Sequence, residues 1–470
     1  MTEGTDGFVG RDAELRHLQR AYRSDASEFI VVYGRRRVGK TELLLHSLHG
    51  RPGIYVMGKT APAALQLREL LHEAARVLDE PLLASMSTGS WKESLSAIVS
   101  RHRGPGKLVL VLDEFQWMVG ASPELPSVLQ ELWDLHWRDA GNIVLVLCGS
   151  FVGFMEREIL GRKSPLFGRR TSQIKLGPFA YHEAARFHPG WSLAERTRAY
   201  FVCGGIPAYL RHFDPARSVD HNIEDQLLGE FSPLHREPEF LLREELREVD
   251  AYYAVLRALA AGSHTSSEIA AFTGLPERSL HYYVQQLDEL GYVARRRPLS
   301  GGATPTRTVR YVLEDPLLRF WFRFVFPNLS FIQQGGSRRA FKERIAPELP
   351  AYEGLCFERL CREALPLLYR AEGLSAAFEI GEYWDKHVQI DLVGVRDDGW
   401  ADLGECRWAP VRSAPALRRE LDAKVAAWPN RRGATIERRL FVRKKPARVG
   451  DGPQERWHDL EDMHAAAAKG

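Results

Sequence analysis

The residues best suited to chemistry come early in the chain. Gly34-Arg-Arg-Arg-Val-Gly39-Lys40-Thr41 matches G-x4-G-K-[ST] in full, between an apolar run and a helix-like segment from Lys40 to Leu48. That strand-to-helix setting is the one a phosphate-gripping loop needs. Gly34 and Gly39 let backbone N–H groups curl around a β-phosphate, where the helix N-terminus adds partial positive charge. Lys40 reaches the β- and γ-phosphates, and Thr41 offers its hydroxyl to Mg²⁺. Val38 and Glu42 stand beside these residues and complete the expected loop set for ATP.

A magnesium site also needs an acid at the end of a buried strand. Leu108-Val-Leu-Val-Leu112-Asp113-Glu114 fits that need. Asp113 would hold Mg²⁺ through water, and Glu114 would polarise the attacking water. The next apolar run, Ile143 to Leu147, ends in Cys148-Gly149-Ser150. Ser150 is a candidate to sense the γ-phosphate, and an ordinary strand-end turn explains it as well. Arg169 and Arg170, in Pro165-Leu-Phe-Gly-Arg-Arg170, are either a surface pair or a means of neutralising γ-phosphate charge from the same or a neighbouring subunit.

A second constellation lies near the carboxyl end. Residues 388–408 read as a hairpin turning at Asp397-Asp-Gly399. Residues two apart on a strand share a face, so Glu405 and Arg407 point together, with Asp391 on the partner strand able to lie opposite. Two carboxylates and a cation at a sheet edge suit Mg²⁺-assisted phosphodiester hydrolysis: the acids hold metal, and the cation stabilises developing negative charge. Glu358, on a helix ahead of the hairpin, would complete the metal set. Ordinary hairpin acids are the alternative.

A third group points at DNA. Residues 251–262 form an amphipathic helix, Thr265-Ser-Ser-Glu268 is a capping box, and Pro276 opens a third helix with Leu280, Val284, Leu287 and Leu290 inward. A two-stranded wing follows, from Arg295-Arg-Arg297 to Arg310-Tyr-Val312. This is a helix-turn-helix of winged type. The DNA reading sets Arg278 and His281 on the recognition helix, with Arg295, Arg296, Arg297, Arg307 and Arg310 against phosphates. A protein-docking module is the other use of such a fold.

Several elements have to position these groups. Phe29-Ile-Val-Val-Tyr33, Gly53-Ile-Tyr-Val-Met57, Leu108–Leu112 and Ile143–Leu147 are apolar runs of strand length, alternating with helix-like segments. That pattern predicts a parallel sheet in an α/β core. From about Tyr181 to Phe240 the pattern is helical, broken at Gly204-Gly-Ile-Pro207. Expected divisions are 1–180 for the core, 181–240 for a helical lid, 245–335 for the winged-helix domain and 346–470 for a mixed α/β domain. The tract from Asp315 to Pro327, rich in Phe and Trp, reads as inter-domain core.

Composition narrows the classes. With 470 residues, 44% hydrophobic and 27% charged, the chain is globular, not disordered or fibrous. Lys+Arg at 64 against Asp+Glu at 61 give only +3, so a nucleic-acid site has to be a local patch. Five cysteines with no CxxC pair argue against a disulfide framework or zinc knuckle. The amino-terminal residues lack the basic and apolar regions of a signal peptide, and no apolar run is long enough to span a membrane, so a cytoplasmic location without a membrane partner is expected.

Motifs in combination carry a resemblance. Phe8-Val-Gly-Arg11 with Glu14-Leu15, Gly34 to Thr41, Leu112-Asp-Glu-Phe-Gln116, Pro165-Leu-Phe-Gly-Arg169 and Gly204-Gly-Ile-Pro207 resemble the archaeal-type P-loop ATPases, close to the AAA+ and STAND switch ATPases. The resemblance covers the first half of the chain. It implies a parallel-sheet ATPase core with a helical lid, Gly10 and Arg11 near the adenine, and Gly205 and Pro207 in a nucleotide-sensing turn. Self-association through the ATPase domain, or a protein partner, fits such a switch.

Glu358, Asp391 and Glu405-x-Arg407 resemble the PD-(D/E)XK nucleases over about 347–445, which implies a restriction-endonuclease-like α/β domain. The chain departs from that pattern at Arg407, where the pattern has Lys. Arginine never deprotonates and donates a fork rather than a point charge. Lys424, on the following helix, is the candidate to supply the ammonium. The leading expectation is a DNA-interacting ATPase whose nucleotide state controls a metal-dependent nuclease domain. The alternatives are a STAND-like switch and a DNA-binding regulator with a non-cleaving nuclease fold.

Overall fold

The apolar runs of the first 150 residues become strands of one parallel sheet. In this computed structural model, β1 (Glu28–Tyr33), β2 (Gly53–Met57), β3 (Leu108–Asp113), β4 (Ile143–Gly149) and β5 (Ser172–Lys175) stand in the order β2-β3-β4-β1-β5. All neighbouring pairs are parallel. The central strands β3 and β4 are buried at every residue, which is why they read as unbroken apolar runs. β5 is an edge strand, Ser-Gln-Ile-Lys, with only Ile174 buried. It offers no apolar run and was not expected.

Helices α1 (Asp12–Arg23), α2 (Lys40–Ser47), α3 (Ala63–Leu78), α4 (Trp91–Arg101) and α5 (Leu125–Leu132) accompany this sheet. Phe29, Leu110, Leu145 and Trp133 share one fully buried cluster, and the Trp133 ring lies 5.5 Å from that of Phe29. Each such side chain contributes about 1.5–3 kcal/mol relative to exposure. β1 sits between β4 and β5, so the chain order switches at its carboxyl end. Open α/β sheets bind ligands in the crevice at such a point.

The structure describes residues 7–104, 106–246, 248–300, 309–447 and 449–469. The chain divides into two units, one running to Pro178 and taking in Ile206–Ala208, the other comprising Phe179–Gly205 and the chain from Tyr209 onward. The three later divisions expected from sequence therefore fall within one unit, apart from the short piece holding Pro207.

That second unit begins helically, with α6 (Leu193–Cys203) and α7 (Pro233–Glu245). Next come α8 (Val249–Ala260), α9 (Ser266–Thr273) and α10 (Glu277–Glu289), then an antiparallel ribbon of β6 (Val293–Arg296) and β7 (Arg310–Leu313). The capping box forms: Thr265 Oγ1 accepts from Glu268 N at 3.3 Å and Glu268 Oε2 accepts from Thr265 N at 2.9 Å. Leu280, Val284 and Leu287 are buried, while Arg278 and His281 are exposed. Arg307 lies outside the described residues. α11 (Pro316–Phe320) leads into Trp321, Phe322 and Phe324, all within the core of this unit.

The long helix α12 (Leu349–Ala371) packs against a five-stranded mixed sheet of order β12-β11-β10-β9-β8. β8 (Phe378–Trp384), β9 (Gln389–Arg396) and β10 (Trp400–Arg407) are antiparallel, whereas β10, β11 (Thr435–Val442) and β12 (Glu455–His458) are parallel. α13 (Ala414–Ala427) connects β10 to β11, as parallel neighbours require. The expected hairpin is β9–β10, within one residue at each end. All five cysteines are buried free thiols. Among the described residues no helix is long and apolar enough to cross a membrane.

Candidate functional site

At the end of β1 the chain turns so tightly that only glycine fits position 34. A Cβ there would lie 2.1 Å from the Leu176 carbonyl oxygen. Gly39 caps α2 at φ 90°, a left-handed conformation that glycine adopts without strain. Val38 is fully buried beneath the loop, and Glu42 is half-buried on the first turn of α2. Lys40 is 5% exposed, and its Nζ donates to Gly34 O and Arg35 O, both at 2.9 Å. Burial holds its pKa below the usual lysine value. Two neutral carbonyls are weak partners for a buried ammonium, and phosphate oxygens would be stronger ones.

Opposite Lys40, Asp113 ends β3 fully buried. Its Oδ2 accepts from Thr41 Oγ1 at 2.7 Å and from Tyr55 Oη at 2.6 Å. Thr41 and Asp113 thus present the hard oxygen donors that Mg²⁺ takes. Tyr55, on β2, was not anticipated. An alternating edge-strand pattern could have marked it, because Tyr55 and Met57 flank a buried Val56. Burial and the Asp113 charge keep its hydroxyl protonated.

Glu114 caps the next helix at φ 48°, a left-handed conformation that is costly for a side-chain-bearing residue. Ser150 Oγ donates to Glu114 Oε2 at 2.6 Å, and Gln116 Nε2 donates to the same oxygen. Ser150 therefore touches the expected water-polarising carboxylate. The Gln116 Oε1 atom is buried with no donor.

Arg11 is 6% exposed and clasps the loop from behind, its Nη2 donating to Val38 O at 3.1 Å and Gly177 O at 2.6 Å. Gly10 precedes it with φ 70°. Pro207 also meets the loop, its Cγ 3.4 Å from where a Cβ on Gly39 would stand. Arg169 is engaged differently from a γ-phosphate ligand. Its Nη2 lies 2.6 Å from Asp134 Oδ2, its Nε 2.9–3.0 Å from both carboxylate oxygens, and its Nη1 donates to Pro165 O at 2.8 Å.

In the second unit, β9 and β10 bring the C-terminal acids together. The ladder pairs Gly404 with Leu392, and one step further Asp391 Oδ2 accepts from Cys406 N at 3.1 Å. Asp391 is 7% exposed and Glu405 3%. Lys424, from α13, lies 2.5 Å from Glu405 Oε2 and 4.0 Å from Asp391 Oδ1. Arg407 meets Glu405 Oε1 at 3.0 Å but leans outward to Glu420 at 2.8 Å. Burial, then repulsion by Asp391, pushes Glu358 up to about 8. The same two causes push Glu405 up to about 7, opposed by Lys424. Among the described residues no group of three or more His, Cys, Asp or Glu is gathered closely enough to hold a metal ion. The donor chemistry fits a cation, since buried carboxylates repel one another, but Lys424 already provides one.

The ribbon arginines divide. Arg296 is turned inward, paired with Glu382 at 3.2 Å and with Glu314. Arg310 lies over the Trp384 ring at 4.5 Å. Both are thereby removed from the role of freely exposed phosphate contacts. Arg295 reaches Asp288 at 3.6 Å, and Arg297 is exposed. Sequence reasoning also missed Glu353, buried on α12, which accepts from Trp408 Nε1 at 2.7 Å and Arg198 Nε at 2.6 Å. A lone acid on an apolar helix face was its only signal.

Residues 8–213 match the family described as an ATPase domain predominantly from Archaea, and residues 321–418 match one described as archaeal and bacterial proteins of unknown function. The uncharacterized protein MJECL04 of Methanocaldococcus jannaschii is 31% identical over 412 residues, 86% of this chain and 88% of the relative. The uncharacterized ATP-binding protein MJ0423 of the same organism is 43% identical over 44 residues, 9% of this chain and 75% of that protein. Among solved structures, the Walker-type ATPase PABY2304 of Pyrococcus abyssi aligns with TM-score 0.48 and 21% identity, covering 67% of this chain and 96% of that one.

Proposed function

The chain belongs to the family of M. jannaschii MJECL04 and carries an archaeal-type P-loop ATPase domain, and from that premise we propose a DNA-acting ATPase whose nucleotide state governs a nuclease-like carboxyl-terminal domain. In the first unit, Lys40 and the loop amides bind and orient the triphosphate, while Thr41 and Asp113 would hold Mg²⁺. Glu114 takes a proton from the attacking water, oriented by Ser150 and Gln116. A bound Mg²⁺ would supply charge neutralisation of the phosphates. Arg11 and Pro207 buttress the loop at Val38 and Gly39.

In the second unit we read α8–α10 with the ribbon as a winged helix, and α12 with its sheet as a PD-(D/E)XK-like domain. Arg278 and His281, exposed on α10, are the groups offered to DNA bases, with Arg295 and Arg297 offered to phosphates. Asp391 and Glu405 are the two carboxylates that would hold a divalent cation, and Glu358 is not gathered with them into a three-acid set. Such an ion supplies Lewis-acid activation of water. The observation that carries the reading is Lys424, whose ammonium meets Glu405 at 2.5 Å and supplies the compact point charge that the planar Arg407 guanidinium does not.

The same contact favours a second reading, in which Lys424 and Arg407 neutralise Glu405 and the domain binds DNA without cutting it. One experiment separates them. Plasmid and single-stranded DNA are incubated with Mg²⁺ or Mn²⁺, with and without ATP, using the native chain, Asp391→Ala and Glu405→Ala. Nicking lost in both variants supports the nuclease. Salt-sensitive DNA binding without nicking supports the non-cleaving regulator, and absence of DNA binding leaves an ATPase switch.

A further inference from the structure

Beside the nuclease-like carboxylates, and distinct from the phosphate loop, the second unit holds an open cavity of about 540 Å³ lined by α6, β6, α11, α12 and β8. Its charge is lopsided. Arg296 comes from β6, Arg319 from α11, and Arg359 and Arg362 from one face of α12, three residues apart. Arg295 and Arg297 stand at its exposed rim. Among the described residues three carboxylates line it, Glu314, Glu363 and Glu382, while Arg295 at the rim is engaged by Asp288 outside the lining.

The partners of each carboxylate sharpen the imbalance. Glu314 is shared by Arg296 and Arg359, the latter at 3.5 Å. Glu382 is shared by Arg296 at 3.2 Å and Arg362 at 3.8 Å. Glu363 serves no arginine, because its oxygens accept from Tyr181 N at 3.1 Å and Tyr200 Oη at 2.8 Å. Within the lining, four inner arginines thus divide two carboxylates, and Arg362 also donates to Asp391 O and stabilises the Asp391 and Glu358 carboxylates beyond it. Other arginine donors rest on neutral acceptors, such as Leu313 O, which takes Arg359 at 2.7 Å and Arg319 at 3.2 Å. Among the described residues Arg319 Nε is buried without a hydrogen-bond acceptor.

Partly buried cations short of counter-charge are costly unless a ligand completes them. Guanidinium forks match phosphate oxygens two at a time. Phe201, Leu360 and Ile380 add apolar surface to the same lining, against which a base could rest. The volume falls within the usual span for small ligands, about 300–1,000 Å³.

We propose that this cavity binds the phosphate end of a nucleotide, gripped by Arg319, Arg359 and Arg362, with Arg297 at the mouth. The nucleotide is either free or the terminal residue of a DNA strand. The site stands on its own lining, whether or not Asp391 and Glu405 cut DNA.

Calorimetric titration of the full chain tests it, with Lys40→Ala present throughout to silence the phosphate loop. The probes are thymidine monophosphate, a short thymidine oligonucleotide with a 5′-phosphate, and the same oligonucleotide with a 5′-hydroxyl. The expected result is saturable binding that weakens roughly ten-fold or more in Arg359→Gln and in Arg297→Gln. Monophosphate binding identifies the free nucleotide, and binding of the phosphorylated strand alone identifies the strand end. Arg297→Gln changes an exposed side chain, so the test remains decisive should Arg359→Gln fail to fold. Absence of saturable binding by both phosphate probes, equal binding of the 5′-hydroxyl strand, or indifference to both variants overturns the proposal.

Discussion

Lys424 Nζ lies 2.5 Å from Glu405 Oε2, although 19 positions separate the two residues and a helix carries one while a strand carries the other. Burial works against the ammonium, yet Asp391 and Glu405 outweigh it and hold the Lys424 pKa above the usual lysine value. Arg407, the nearer cation in sequence, is 38% exposed and is shared with Glu420. The two cations are therefore not equivalent.

Lys424→Met is expected to lower stability by about 1.5–3 kcal/mol, the usual worth of a hydrogen bond to a charged group, and, on the proposed nuclease reading, to abolish DNA cleavage. Arg407→Met is expected to change stability by about 1 kcal/mol or less, as exposed pairs do, and to leave cleavage measurable. A nicking assay beside a thermal melt reads both. Equal effects of the two substitutions would refute the distinction.

Lys40→Ala is expected to abolish ATP binding in a calorimeter. Glu114→Gln should retain binding and lower turnover by roughly a hundred-fold or more, the ordinary contribution of a positioned base. Because Ser150 donates to Glu114 at 2.6 Å, Ser150→Ala should lower turnover without weakening binding. Normal hydrolysis by Glu114→Gln would remove that residue from its assigned role.

Arg169 is tied to Asp134 within its own unit. Arg169→Ala and Asp134→Ala should therefore each destabilise, by about 1.5–3 kcal/mol, with the double variant costing less than the sum of the two, although Asp134 also serves Arg138. Loss of ATP turnover in Arg169→Ala at unchanged stability, but not in Asp134→Ala, would instead assign the arginine to the γ-phosphate.

His458 offers a pH test. It is 6% exposed, and burial first, then the Arg439 guanidinium at 3.0 Å, lowers its pKa to about 4. Unfolded, it would titrate near 6.5 and bind more protons than the folded state between those values. Stability contributed by the neutral ring is thus complete above about pH 6.5 and lost as pH falls towards 4, by about 3 kcal/mol in all. The difference in unfolding free energy between native chain and His458→Gln should narrow over that window. A difference independent of pH would contradict the assignment.

Legibility in the sequence followed the physics of burial. β3 and β4 declared themselves because both faces are covered, and α9 did so through Thr265 and Glu268, a cap complete within four residues. β8 and β11 did not. β11 carries Glu437, Arg438 and Arg439 in its interior, and Arg439 is fully buried against Asp402, Glu372 and Glu437. Nothing local distinguishes such a strand from a charged loop.

The candidate sites divide along the same line. Gly34, Gly39, Lys40 and Thr41 form a contiguous loop whose chemistry depends on backbone conformation, so the order of residues alone determined it. Asp113, Glu114 and the β9–β10 acids followed from strand periodicity. Lys424 was legible as a candidate cation on the helix after the acids, but only the tertiary structure decided that Tyr55 reaches Asp113 and that Arg296 turns inward to Glu314 and Glu382. Those contacts join elements distant along the chain. Their partners are chosen by how helices and sheets pack, and a linear pattern carries no record of that choice.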